Sequence, residues 1–146
     1  MTAIVESAFQ SAGQRCSALR CLYVQDDIAD DLLEMLKGAA DELRLGNPWD
    51  LSTDVGPLID STAKSRFETY IAQARHDGRV FYEQDTPNTG HFLSPTMIEV
   101  SGISEMQQEI FGPVLHVARF KSSELDQVIR YQRDGLWADL WPADPN

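Results

Sequence analysis

The sequence predicts an α/β domain with a largely parallel sheet and flanking helices. Apolar residues recur at helical spacing in several stretches, and short apolar runs bounded by turn residues lie between and after them. The two patterns alternate along the chain, which is the signature of helices packed on a parallel sheet.

The elements follow in order. Val5, Ala8, Phe9 and Ala12 form one helical stripe, and Gly13 is the expected stop because glycine tolerates helix-ending conformations. A loop over Gln14–Ser17 precedes a strand predicted from Leu19 to Val24. A second helix starts at an Asp26 or Asp27 cap and carries Ile28, Leu32, Met35, Leu36, Ala39 and Leu43, ending near Gly46 before Asn47-Pro48. Residues 47–60 read as a loop. A third helix runs from a Ser61 cap through Ala63, Phe67, Tyr70, Ile71 and Ala74 to Gly78. Three strands are predicted at Arg79–Tyr82, Thr96–Val100 and Val114–Phe120, and a last helix opens at Ser122 or Ser123. There is no internal repeat and no low-complexity segment.

Bulk properties narrow the function. The 146 residues hold 12 basic and 23 acidic side chains, a net charge of −11 without the clustered Lys and Arg that a phosphate backbone requires, so nucleic acid is not an expected partner. The acidic run Asp26, Asp27, Asp30, Asp31 and Glu34 reads as the solvated face of a helix. No stretch approaches the run of about 20 apolar residues needed for a membrane span. The N-terminal stretch contains Glu6 and no basic cluster, unlike a secretory signal, so the expected location is cytoplasmic. His76, His91 and His116 are scattered, and Cys16 and Cys21 have no second ligand pair, so no metal is expected. No structural disulfide is expected either.

Two short stretches carry chemistry. Cys16 lies on a loop among Gly13, Gln14, Arg15 and Ser17, where small residues let a substrate approach and where Arg15 and Arg20 favour a thiolate. The residues alone leave open a buried structural cysteine. Cys21, inside an apolar strand, reads as core. In Glu109-Ile110-Phe111-Gly112-Pro113-Val114 the Gly-Pro pair breaks regular structure and turns Glu109 and Phe111 outward. A carboxylate beside an aromatic ring suits a ribose and a flat heterocycle, although a solvent-facing Glu and a core Phe explain the pattern as well.

Resemblance resolves these alternatives. FQSAGQRCSALR, from Phe9 to Arg20, resembles the active-site signature of the aldehyde dehydrogenase superfamily. GNPWD (Gly46–Asp50), DVGPLI (Asp54–Ile59), SPTMIEV (Ser94–Val100) and EIFGPVLHV (Glu109–Val117) follow in the family's order. The resemblance implies the catalytic domain of that fold, truncated and without the NAD-binding Rossmann domain, over residues 1–129. It makes Cys16 the nucleophile, Glu109 the ligand of the nicotinamide ribose and Phe111 the ring beside the nicotinamide, with NAD as cofactor and a homo-oligomeric parent. Within the family the wording is most similar to the branch that oxidises L-glutamate γ-semialdehyde, the open form of 1-pyrroline-5-carboxylate. The nearest likeness is to the dehydrogenase domain of the bacterial proline utilization A proteins. There the residue matching Ser17 helps hold the small-molecule aldehyde.

The family's general base, its oxyanion-hole asparagine and its phosphate-binding turn have no counterpart in the chain. Inactivity of the isolated chain is therefore expected. The alternatives are an inert or interaction-only remnant, or a residual cysteine esterase. Residues 130–146 lack family wording. Codons can be chosen so that a shifted frame reads AINATGYGLTFGLR, the family-like continuation, so a frameshift is expected there.

Overall fold

The computed structural model describes residues 2–106 and 108–130, so nearly all of the tail singled out above lies outside the described residues. Among these, α1 spans Thr2–Phe9, β1 Cys21–Gln25, α2 Asp26–Asp41, α3 Ser61–His76, β2 Val80–Glu83, β3 Thr96–Val100 and β4 Val114–Phe120. Residues 125–130 are again helical, after a turn in which the Lys121 amide donates to Glu124 Oε2 at 2.9 Å.

The four strands form one sheet in the order β1-β4-β3-β2. β1 and β3 both run parallel to β4, and β2 closes the edge antiparallel to β3. Val114 to Ala118 of the central β4 are all buried, which is what a parallel strand covered on both faces requires. Successive β4 side chains point to opposite faces. Arg119 Nη1 meets Asp30 Oδ1 of α2 at 2.8 Å, whereas His116 Nε2 meets the Tyr70 hydroxyl of α3 at 2.7 Å. Helices α2 and α3 therefore cover opposite faces of the sheet.

Several boundaries differ from the sequence expectation, among them the end of α2, which comes at Asp41 and not near Gly46. Helix α1 ends at Phe9, not at Gly13. The chain then makes a tight turn in which Ser11, Ala12 and Gly13 adopt φ of 56°, 53° and 65°. Left-handed backbone costs an ordinary residue about 1–2 kcal/mol. The turn nevertheless keeps Ala12 in the core with Val5, Ala8 and Phe9, so the stripe is buried although its last member is not helical. The α3 cap is Asp60, whose Oδ1 accepts the Ala63 amide at 2.7 Å, not Ser61. The N-cap of α2 is Gln25, which gives no side-chain cap; Asp26 and Asp27 occupy the first turn, where acidic charge suits the helix dipole.

The buried face of α2 is also displaced. Ala29, Leu33, Leu36 and Ala40 are buried, whereas Ile28 and Met35 are 57% and 58% exposed. Of the expected stripe Leu36 is fully buried, and Leu32, Ala39 and Leu43 pack half-buried against the core.

His116 is the buried polar centre of the core, fully inaccessible and opposite both Cys21 and Ile98 in the sheet. Its Nδ1 lies 3.0 Å from the Arg20 carbonyl, an acceptor only, so Nδ1 carries the proton and Nε2 accepts from Tyr70. Burial pulls the His116 pKa below the ordinary 6.5; Arg79 and Arg20 push the same way, against the Arg20 carbonyl bond and Glu105. A group with a depressed imidazole pKa binds fewer protons folded than unfolded, so its stabilisation is complete above about pH 6.5 and is lost as pH falls.

Two predictions follow from this packing. Urea unfolding should show stability falling below about pH 6.5 by up to roughly 1.4 kcal/mol per pH unit, and His116→Gln should remove that slope in this window. The second concerns Gly13, where a Cβ would overlap the Gly112 carbonyl oxygen on a backbone already at φ +65°. Gly13→Ala should cost at least about 2 kcal/mol. Gly38→Ala, at an exposed helical site with nothing within 4 Å of the new Cβ, should instead stabilise by about 0.5–1 kcal/mol in the same urea measurement.

Candidate active site

The site grows from the turn that follows Gly13. The Ala18 amide donates to the Arg15 carbonyl at 3.2 Å, and the Leu19 amide to Ser7 at 3.0 Å. These two bonds close a turn with Cys16 and Ser17 at its tip, and both residues are exposed. The thiol expected at a loop mouth stands there. Cys21, five residues on, is part of β1 and packs against the core, and burial pushes its thiol up to about 11. It stays protonated and inert at neutral pH.

The Glu109–Gly112 turn lies against this loop. Gly13 packs on the backbone of Gly112, an approach that leaves no room for a side chain. The Gly112 carbonyl in turn accepts the Val114 amide at 2.8 Å, and Pro113 accepts from Thr96 at 2.9 Å, so the turn is anchored to β3 and β4. Glu109 is exposed, and Phe111 keeps 40% of its surface accessible.

Arg20 joins the two segments. Its Nη1 donates to the carbonyl of Gly13 and, at 3.5 Å, to that of Gly112; its Nη2 donates to Arg15 at 2.9 Å. Its Nε lies 3.4 Å from Glu109 Oε1, and its guanidinium carbon lies 4.8 Å above the Phe111 ring, close enough for a cation–π contact. Burial lowers the Arg20 pKa and the Glu109 carboxylate opposes that shift, but a guanidinium remains charged at any neutral pH. The sequence reading placed Arg15 and Arg20 as promoters of the thiolate. In the structure Arg20 spends its donors on backbone carbonyls and Glu109, and Arg15 Nη2 donates to Gln10 Oε1 at 2.9 Å.

Gln14 is a second residue whose task the sequence reading did not assign. Its Nε2 donates to Pro57 O at 3.3 Å and its Oε1 accepts the Ile59 amide at 3.0 Å, clamping the Gly56–Ile59 loop to the cysteine loop. That loop is tied to Gly46–Asp50 through the Leu45–Val55 bridge and the Gly46 amide, which donates to Val55 O at 3.1 Å. The five stretches singled out in the sequence thus form one continuous scaffold. The available signal was a Gln and an Arg, long polar side chains, inside otherwise small or apolar segments. Among the described residues no cluster of His, Cys, Asp and Glu is arranged to hold a metal ion, and no helix is long and apolar enough to cross a membrane.

The profile of the aldehyde dehydrogenase family matches residues 1–145. The bifunctional protein PutA of Escherichia coli is 48% identical over 134 residues, covering 86% of this chain and 10% of that protein. Malonate-semialdehyde dehydrogenase 2 of Geobacillus thermodenitrificans is 36% identical over 136 residues, covering 88% of this chain and 28% of that protein. Among solved structures, proline utilization A of Bradyrhizobium japonicum superposes with a TM-score of 0.84 at 45% identity, over 90% of this chain and 14% of that one. Betaine aldehyde dehydrogenase of Staphylococcus aureus, in complex with NAD+, gives 0.76 at 30% identity, over 86% and 27%. The chain spans about a tenth of the PutA proteins it matches. With a family profile over nearly its whole length and this fold, the chain belongs to the aldehyde dehydrogenase family.

Proposed function

We propose that the chain is the nucleophile-bearing part of an NAD-dependent aldehyde dehydrogenase that oxidises L-glutamate γ-semialdehyde to glutamate in proline catabolism. The observation that carries this reading is the joining, through Gly13, Gly112 and Arg20, of an exposed cysteine turn to an exposed carboxylate and aromatic ring. The choice of substrate rests on the 48% identity to PutA.

The residues fit the nicotinamide riboside end of the cofactor. The Glu109 carboxylate is an acceptor matched to vicinal ribose hydroxyls, and the accessible surface of Phe111 suits a flat ring. NAD, when bound, supplies the hydride acceptor. Cys16 as thiolate attacks the aldehyde carbon, forming a C–S bond, and its own backbone N–H is one donor to the developing oxyanion. Loss of a hydride from that carbon to bound NAD would leave the acyl group on Cys16 as a thioester. Water then adds, the C–S bond breaks, and the carboxylic acid and the thiol are released. Ser17, next on the turn tip, offers its hydroxyl to the substrate carboxylate.

The isolated chain is proposed not to turn over. His116 has both ring nitrogens committed to Tyr70 and Arg20, so it is no base for the thiol. No Gly-rich strand–turn–helix for a dinucleotide pyrophosphate occurs in the sequence.

The test is a chimera in which residues 2–130 replace the matching stretch of the Escherichia coli PutA protein, assayed for NADH with γ-semialdehyde and NAD. The chimera should form NADH, Cys16→Ser should abolish it by about a thousandfold or more, and the chain alone should form none. Ser17→Ala should raise KM roughly tenfold while sparing kcat, as loss of a charged hydrogen bond in the ground state does. A folded chimera that keeps its rate with Cys16→Ser would overturn the assignment.

A further inference from the structure

We propose that Arg20 is a positioning residue that couples the thiol-bearing turn to the Glu109–Phe111 turn, so that nucleophile and cofactor-facing groups hold their places as one unit. The proposal deepens the dehydrogenase reading and rests on it for its meaning, but the coupling itself is a property of the chain alone.

The geometry is specific. The Arg15 carbonyl is the acceptor that closes the Cys16–Ser17 turn, and the same oxygen takes Arg20 Nη2 at 2.9 Å. Arg20 Nη1 holds the carbonyl of Gly13, the residue on which that turn is hinged. The other edge of the guanidinium carries Glu109, and its plane lies over Phe111. One rigid fork therefore touches both segments. Lysine has the charge but not the fork, so it cannot hold two carbonyls and a carboxylate together. The Arg20 backbone is itself fixed from behind: its carbonyl accepts both the His116 amide at 2.9 Å and His116 Nδ1 at 3.0 Å. With the side chain 10% exposed and the Glu109 side chain 37% exposed, the pair lies where solvent screens only one partner well.

The experiment is a double-mutant cycle read at the thiol, with no aldehyde and no NAD present. Alkylation of Cys16 by iodoacetamide is followed by mass spectrometry of the tryptic peptide spanning residues 16–20, which separates it from Cys21. Four chains are compared: unaltered, Glu109→Gln, Arg20→Lys and the double variant. Glu109→Gln should change the Cys16 rate by about threefold or more in the Arg20 background and leave it nearly unchanged with Lys, a coupling at the low end for contacting side chains. Hydrogen exchange in α2 should be the same in all four, since a loss of general stability would open that helix too. Equal effects of Glu109→Gln in both backgrounds, no effect in either, or parallel opening of α2 would overturn the proposal.

Should Arg20→Lys fail to fold, Glu109→Gln is compared with Glu83→Gln, which breaks the Arg75–Glu83 ion pair elsewhere. A Cys16 rate that responds only to Glu109 supports the coupling, and equal responses refute it. Because alkylation needs no turnover, failure here is distinct from failure of the chimera to form NADH.

Discussion

The closeness of Gly13 to the backbone of Gly112 is the constraint on which the rest of the site depends. Two chain segments about a hundred residues apart can meet main chain to main chain only where neither has a Cβ in the gap. That contact brings the Gly13 and Gly112 carbonyls within reach of one guanidinium. Left without a donor, the carbonyl of buried Gly13 would cost about 1–3 kcal/mol. Arg20 supplies that donor while its charge remains balanced by Glu109. Left-handed backbone at Ser11 and Ala12 belongs to the same arrangement, since it aims the chain from α1 into the narrow gap.

Much of the fold was legible because it rests on patterns that act locally. The β3 and β4 runs, rich in β-branched and apolar residues and introduced by Pro95 and Pro113, matched their strands residue for residue. The alternation of helices and strands was enough to anticipate a mainly parallel sheet. The buried face of α2 was not legible, because Ile28, Leu32, Met35 and Ala39 form an apolar line of their own beside Ala29, Leu33, Leu36 and Ala40. Periodicity cannot choose between two adjacent stripes; only the shape of the sheet can. The early end of α1 was hidden for a related reason. Ala12 is buried whether or not it is helical, so the apolar spacing continues past the last helical residue.

The candidate site was legible as a set of motifs but not as a mechanism of assembly. Cys16, Ser17, Glu109 and Phe111 are exposed or partly exposed in the structure, as their surroundings of glycine and turn residues implied. Nothing local revealed that Arg20 serves both segments or that Gln14 clamps residues 57–59, because these bonds join positions 43 to 92 residues apart. Hydrogen bonds of that kind depend on the tertiary path of the backbone. A sequence shows only that a long polar side chain has been placed where small or apolar ones surround it.

The two cysteines show how far placement outweighs residue type. Both belong to one short stretch, and each is flanked by an arginine at the preceding position. Cys21 lies in β1 beside the central strand, where burial raises its pKa to about 11 and opposes every reaction that needs a thiolate. Cys16 stands at the tip of a turn held by hydrogen bonds from the Ala18 and Leu19 amides and from the Arg20 side chain. A turn so exposed would ordinarily sample many conformations, and the entropy of ordering it would oppose any reaction that requires a fixed sulfur. The Arg20 fork meets that cost during folding, before any substrate arrives. A nucleophile can then be open to solvent and yet held in place, which exposure or burial alone does not provide.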